Sequence, residues 1–276
     1  MTKRRATPNK LSGKQRFSVV LAAMMMAAQS AAAVEFRVTT IEEFNQANAA
    51  LQPGDSLRFS GGDIQLTETL ELTAAGTAAD PILITADSGT RLVISGAEGY
   101  PLVGFSIIST NWVTVQNVEI AGDPTWSNAT GFDCIAVSDS EDISIRASQL
   151  SQCASSGVRV DNGSERVSIT DSQISYTLAS GVLVGCADAT CFVEAVDINH
   201  CWISDVVGSG VLFHHGVQGS RVVDSVFHDI DGTGIALGSP DNGMQNSADA
   251  NAIWSTTNHG IVVNGAVIVR NNVVFN

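Results

Sequence analysis

A phrase of five residues occurs twice in this chain, 24 residues apart. It reads SGVRV at residues 156–160 and SGVLV at residues 180–184, and looser copies begin at Cys134, Gly210 and Gly234. Self-similarity at a period of this size indicates a repeat architecture, in which one unit cannot bury its own apolar side chains and is stabilised by its neighbours.

A second repeated phrase has an apolar anchor, usually a polar residue two positions on, and another apolar residue five positions on. Both phrases are short, rich in Val and Ile, and alternate with a period of two, which predicts strands. No helical periodicity lies between them, so the sequence predicts an all-β fold, a parallel β-helix or solenoid. The anchors, expected to stack in one inward column, are Val115, Ile145, Ile169, Ile198, Val222 and Val269. The second inward column is expected to contain Leu150, Ile174, Ile203, Phe227 and Val274.

The residue two positions after each anchor is predicted to form a corner of the coil. Asn and Asp, which tolerate left-handed backbone, are frequent there. The interval from Val182 to Ile198 is longer than its neighbours and predicts a loop. The interval between Val222 and Val269 has no clear anchor, which predicts a long loop over residues 239–258. The corner residues are Asn117, Ala147, Asp171, His200, Asp224 and Asn271.

The region around residues 40–51 predicts a short N-terminal capping helix over the first coil. Thr40 and Glu43 have the spacing of a capping box, and Phe44 and Leu51 share one face with the other apolar residues. The first strands are expected after this helix, in residues 52–59.

Residues 1–33 have the composition of a signal peptide. The segment is basic at its start and apolar over residues 17–28, a run too short to span a bilayer. We therefore expect a secreted, periplasmic or cell-surface protein without a membrane span. Residues 34–276 are expected to be a β-helix domain that is incomplete at its C-terminus, since residues 273–275 are apolar and no cap follows them.

Residues 34–276 contain eight arginines, no lysine and 28 acidic residues, a net charge of −20. Such a surface repels nucleic acid and anionic membranes, and it favours cations. The five cysteines allow two disulfides. Cys186 and Cys191 flank the predicted short loop and are the first candidate pair, and Cys134 and Cys153 are the second. Cys201 falls where other repeats carry serine, which predicts a small buried residue.

Several segments resemble a known superfamily. LQPGDSLRF at 51–59, NWVTVQNVEIAG at 111–122 and HGIVVNGAVIVRNNVVFN at 259–276 are similar to secreted right-handed parallel β-helix proteins of the pectate-lyase-like superfamily. The resemblance runs from about residue 35 to the end of the chain. It implies a right-handed coil and a polysaccharide partner, often an acidic one, lying along one parallel sheet.

A lyase that cleaves an acidic glycan must neutralise a uronate carboxylate and remove the C5 proton. The superfamily's alginate lyases carry a paired Lys and Arg, whereas residues 34–276 have no lysine. The candidate catalytic residues are therefore Arg159 and Asp161 on one repeat, with His214 and His215 two coils on, about 10 Å away. The structural alternative is that Arg159 only pairs with Asp161 and that the histidines form a turn.

Other carboxylates suggest two further chemistries. Asp205 and Asp229 occupy equivalent positions in adjacent repeats, as the paired carboxylates of a glycoside hydrolase would, but aspartates also suit turns. Asp224, Asp229, Asp231 and Asp241 are oxygen donors of the kind that calcium prefers, so calcium is the expected cofactor. The tryptophans that can stack on sugar rings are Trp112, Trp126, Trp202 and Trp254.

The sequence thus predicts an exported β-helix protein that engages polysaccharide, as a lyase acting on acidic glycans. The alternative is a noncatalytic cell-surface adhesion or carbohydrate-binding module of a longer protein. That alternative accounts for the missing lysine without a further assumption.

Overall fold

Short parallel strands make up most of the computed structural model, which describes residues 32–94, 103–123, 131–187, 191–238 and 243–275. The predicted signal peptide lies almost entirely outside the described residues. Residues 33–276 form one compact unit. Within the described ranges, no helix has the length and apolar character needed to cross a membrane.

One helix and 29 strands are described. The helix α1 spans Ile41–Asn48. The strands of the first half are β1 (Glu35–Val38), β2 (Ser56–Phe59), β3 (Asp63–Leu66), β4 (Leu70–Leu72), β5 (Ile82–Ala86), β6 (Arg91–Ile94), β7 (Val103–Ile108), β8 (Asn111–Gln116), β9 (Glu119–Gly122), β10 (Asp133–Ser138), β11 (Glu141–Arg146), β12 (Gln149–Ser151), β13 (Ser156–Asp161), β14 (Glu165–Thr170) and β15 (Gln173–Thr177). Those of the second half are β16 (Ser180–Val184), β17 (Val193–Glu194), β18 (Asp197–Asn199), β19 (Trp202–Val206), β20 (Ser209–Phe213), β21 (Val217–Gln218), β22 (Arg221–Val223), β23 (Val226–Ile230), β24 (Thr233–Gly238), β25 (Ser247–Asp249), β26 (Ala252–Thr256), β27 (His259–Asn264), β28 (Ile268–Arg270) and β29 (Val273–Phe275).

Each coil of the chain contributes strands to three parallel sheets. Sheet A follows the order β1-β2-β5-β8-β11-β14-β18-β22-β25-β28, with β17 and β21 paired beside it. Sheet B follows β3-β6-β9-β12-β15-β19-β23-β26-β29, and sheet C follows β4-β7-β10-β13-β16-β20-β24-β27. This arrangement is a parallel β-solenoid with one short helix, so the predicted fold class is confirmed.

The predicted inward columns are present and in register. In sheet A, Ile145 pairs with Val115 and Ile169, and the column continues through Ile198 and Val222. The sheet B column includes Leu150, Ile174, Ile203, Phe227 and Val274.

The prediction of a long loop over residues 239–258 was wrong. Strands β25 and β26 lie within this interval, and Ala248 fills the missing anchor position between Val222 and Val269. Ala248 is fully buried. Its side chain is small, so the alternation of large apolar residues that marks the other strands is weak here. Residues 239–242 lie outside the described part of the chain.

The predicted corner is confirmed as a column of left-handed residues. Asn117, Asp171 and Asn271 have φ values of 53°, 52° and 58°, and Ala250 provides the corner of the coil that the sequence missed. Most residues that follow a corner, such as Ser148, Ser172 and Ser225, are buried and form a polar ladder. The backbone N–H of Ser148, for example, donates to the Ser172 hydroxyl at 3.3 Å in the next coil.

Both predicted disulfides form. Cys134 is bonded to Cys153 and Cys186 to Cys191, with Cα separations of 5.5 and 5.6 Å. Cys201 is a free, buried thiol in the serine ladder, as predicted, and its Sγ lies 3.5 Å from the Asn199 carbonyl oxygen. Burial raises the pKa of Cys201 to about 11, so this thiol is protonated at neutral pH.

The helix α1 covers the first coil, but one strand precedes it. The Thr40 hydroxyl accepts from the Glu43 N–H at 3.2 Å, and the Glu43 carboxylate accepts from the Thr39 N–H at 2.6 Å. Phe44 is fully buried and stacks on Phe59 with ring centroids 5.9 Å apart. The sequence analysis placed the first strand after the helix, whereas β1 lies before it and pairs with β2.

Truncation of the Phe44 side chain tests how much the packing of the capping helix contributes to stability. Phe44→Ala is expected to lower the free energy of unfolding by about 3–5 kcal/mol, because it removes a buried ring that contacts two others. Phe192→Ala, at a ring that is 44% exposed, is the matched control and is expected to cost about 0.5 kcal/mol or less. Urea denaturation followed by circular dichroism measures both. An equal loss in the two variants would contradict this role for Phe44.

Candidate functional site

The outward-facing positions of sheet C form two columns that run across the coils. One contains Ala136, Arg159, Leu183, Leu212, Ala236 and Val262. The other lies at the ends of the strands and contains Ser138, Asp161, Gly185, His214, Gly238 and Asn264. We call these residues the sheet C face. Three of the four predicted catalytic residues, Arg159, Asp161 and His214, lie on it, while His215 is in the following turn.

Arg159 is held between two buried carboxylates. Its Nε donates to Asp133 Oδ2 at 2.6 Å, and its Nη1 pairs with Asp161. The side chains of both aspartates are 7% exposed, against 30% for the arginine. Burial opposes the charge on Arg159, but the hydrogen bonds and Coulomb attraction of Asp133 and Asp161 outweigh it and raise the pKa of the guanidinium. We call these three residues the Arg159 triad.

The remaining hydrogen bonds of the triad go to neighbouring strands. Asp161 accepts from the Ser138 hydroxyl at 2.8 Å, and Asp133 accepts from the Ser156 N–H at 3.0 Å. Arg159 therefore pairs with Asp161, as the structural alternative from the sequence predicted. Asp133 is a second partner of the same guanidinium. Asp133 was not among the predicted site residues, although an acidic residue at the start of a repeat next to an arginine-bearing repeat is a usable signal.

His214 stands between two glycines in its column. Its backbone N–H donates to the Val184 carbonyl at 2.8 Å, which aligns it with Gly185 in the preceding coil. Gly238 is aligned with it in the following coil, since Phe213 pairs with Leu237. The imidazole therefore has no side chain beside it in either direction along the column. A depression of about 230 Å³ lies here, lined by Leu212, His214, His215, Ala236, Val262 and Asn264, with neighbouring backbone.

The electrostatics of His214 leave it able to accept a proton. Burial, with a contribution from His215, lowers the pKa of His214 below its ordinary value of 6.5, so the neutral imidazole dominates at pH 7. Asp161 and His214 are two coils apart, about 10 Å at the spacing of parallel strands. Gly185 occupies the position between them and is packed against Val217 and His214.

The structure does not assemble the predicted calcium ligands. Asp224 lies in a corner of the coil with φ of 47°. Asp229 contacts His228 Nδ1 at 2.7 Å, and Asp231 contacts the Thr257 hydroxyl at 3.0 Å. Among the described residues, no group of three His, Cys, Asp or Glu side chains is placed to hold a metal ion. Asp224, Asp229 and Asp231 thus do not fit a shared calcium site, and Asp241 lies outside the described residues.

The paired carboxylates considered for a hydrolase lie at left-handed positions within their strands. Asp205 and Asp229 are equivalent positions of β19 and β23, one coil apart, as the sequence predicted. Both adopt left-handed backbone, with φ of 53° and 55°. Aspartate is one of the few residues that adopt this left-handed conformation readily. A structural role in the backbone therefore accounts for both residues.

Known proteins share this architecture. An alginate lyase from Paenibacillus sp. strain FPU-7 superposes with a TM-score of 0.66 at 15% sequence identity, covering 88% of this chain and 95% of the lyase. A pectate lyase gives a TM-score of 0.59 at 12% identity, covering 88% and 79% of the two chains. A pectate lyase from a Bacillus species, in complex with trigalacturonate, gives 0.55 at 13% identity, covering 91% and 86%.

Sequence comparison gives the family. A comparison with curated protein sequences found no significant match. The family model described as "Right handed beta helix region" matches residues 82–247, more than half of the chain. The neighbours above agree with it in fold, and they confirm the predicted parallel β-helix. The chain therefore belongs to the right-handed β-helix family.

Proposed function

We propose that this chain binds a polysaccharide along the sheet C face, as a carbohydrate-binding module. The support is the regular column structure of this face, which presents equivalent positions at every coil to a ligand that itself repeats. Solved neighbours with the same coil act on alginate and pectate, and one is in complex with trigalacturonate. That likeness supports polysaccharide as the ligand class.

The composition of the sheet C face suits sugar rings. Leu183, Leu212 and Val262 provide apolar surface along one column, and Ser138 and Asn264 provide hydrogen-bonding groups along the other. A sugar has the same division, with apolar C–H groups on the ring face and hydroxyls at its edge. The depression at His214 provides the concave surface that ligands prefer.

Charge on this face decides between binding and cleavage of a uronate. All eight arginines of residues 34–276 are in the described part of the chain, and Arg159 is the one on sheet C. The Arg159 triad has a net charge of −1, so its cation is already neutralised. Elimination from a uronate needs a positive charge at the sugar carboxylate. The observation that carries our proposal is this neutralisation of Arg159, which favours binding of a glycan with few charges.

A second candidate function, lyase activity, is favoured by His214. The neutral imidazole can take the C5 proton of a uronate while the electron pair forms the C4–C5 double bond and the C4–O bond breaks. The leaving oxygen then receives a proton from solvent. The open position of His214 on the sheet C face is the observation that supports this candidate.

Binding is tested with a charge placed in the apolar column. Affinity electrophoresis in gels that contain neutral or acidic polysaccharides measures retardation of the chain. Leu212→Asp is expected to weaken binding at least about tenfold, because it puts a carboxylate in the apolar column. Ser144→Asp, which adds the same charge on sheet A, is the matched control and is expected to bind as the parent does. No retardation of the parent chain in any gel, or equal binding by both variants, would contradict the proposal.

Lyase activity is tested by the absorbance of unsaturated sugar ends. We expect no increase with alginate or polygalacturonate, with calcium present. An increase that His214→Gln abolishes would overturn the noncatalytic proposal in favour of the second candidate. In that case the rate is expected to fall only below pH 6.5, because the pKa of His214 is lowered and its neutral form persists to more acidic pH.

The Arg159 triad is expected to be structural. Arg159→Gln leaves two buried carboxylates without their cation and is expected to lower the free energy of unfolding by about 3–5 kcal/mol. Arg166→Gln is the matched control, since Arg166 also contacts several carboxylates but is 47% exposed, and it is expected to cost about 1 kcal/mol or less. Urea denaturation measures both. Unchanged stability with loss of glycan binding would instead assign Arg159 to the ligand.

A further inference from the structure

The outer face of sheet B carries a cluster of rings near its C-terminal coils. His228 stacks on Trp254 with centroids 5.2 Å apart, and Trp254 stacks on Phe275 at 5.6 Å. Trp202 lies 5.1 Å from His228 and 6.4 Å from Trp254, nearly perpendicular to both. We call these four residues the sheet B aromatic surface. It lies on a different sheet from the site proposed above.

Packing alone does not account for this surface. Trp202 is 47% exposed, so much of its apolar area remains in water. The Nε2 atom of His228 is buried without a hydrogen-bond partner, which opposes stability. Exposed apolar surface of this kind, bordered by polar groups, marks binding sites.

Carboxylates border the rings on one side. Asp205 and Asp229 follow the ring-bearing column in successive coils. Asp205 accepts from the Ser204 hydroxyl at 2.8 Å, and Asp229 is 57% exposed beside His228. The arginine of sheet B, Arg91, is in β6, several coils away. The border is therefore negative and offers hydrogen-bond acceptors.

We propose that the sheet B aromatic surface binds a neutral polysaccharide, as a second glycan site. Trp202 stands perpendicular to the ring stack and is exposed, so its indole can cover the apolar face of a sugar, whereas the faces of His228 and Trp254 are covered by each other. The carboxylates at the border accept hydrogen bonds from the sugar hydroxyls. A uronate would be repelled by Asp205 and Asp229. A purely apolar partner would strip water from Asp229 without replacing its hydrogen bonds.

The test uses oligosaccharides of defined length and charge. Cellohexaose and laminarihexaose are the neutral probes and trigalacturonate is the anionic one, titrated into the full chain by calorimetry. We expect a neutral hexasaccharide to bind and trigalacturonate to bind at least about tenfold more weakly at this surface. Trp202→Ala is expected to weaken the neutral probe at least about tenfold, whereas Phe192→Ala, an exposed ring outside the surface, leaves it unchanged.

Two outcomes would overturn the proposal. The first is equal affinity of the parent chain and Trp202→Ala for every neutral probe, or no binding of these probes at all. The second is a dimer, measured by light scattering, that Trp202→Ala converts to a monomer, since the surface would then be an interface between copies.

Leu212→Asp, on the sheet C face, separates the two sites. If it weakens polysaccharide binding while Trp202→Ala does not, the sheet C proposal stands and the sheet B proposal fails.

Discussion

Stacking of inward aliphatic side chains from coil to coil holds this molecule together. No coil has a core of its own, because its three short strands enclose only the side chains that meet those of the coils above and below. Ile145, Ile169 and Ile198 in sheet A, with Leu150 and Ile174 in sheet B, are fully or almost fully buried through these contacts. The corners and the polar ladder behind them satisfy backbone groups that the strands leave unpaired.

The same stacking explains how distant residues come to share a surface. Because equivalent positions align across coils, Asp133 meets Arg159 from one coil away and His214 lies in the same column as Asp161. A change of register by one residue would turn each outward column inward. The two proposed glycan surfaces therefore depend on the inner columns, although they share no residue with them.

Much of the fold could be predicted because its signals are local. Val- and Ile-rich alternation marked the strands, and Asn or Asp after each anchor marked the corners. Ala248 was not predicted as an anchor because a methyl group gives too weak an apolar signal. Strand β1 was not predicted because its partner β2 follows an intervening helix. The functional surfaces were harder to predict, since the position of Asp133 and the ring contacts among Trp202, His228 and Trp254 depend on register between coils rather than on spacing within one strand.

Hydrogen exchange measured by mass spectrometry tests the coil-on-coil account most directly. If neighbouring coils stabilise one another, the strands β14, β15 and β16 of one central coil should exchange slowly and together, and protection should decline from the central coils toward both ends. If each sheet were stable without the other two, the three strands of one coil would exchange at different rates. Slow exchange throughout sheet A with fast exchange in sheets B and C of the same coils would contradict the account.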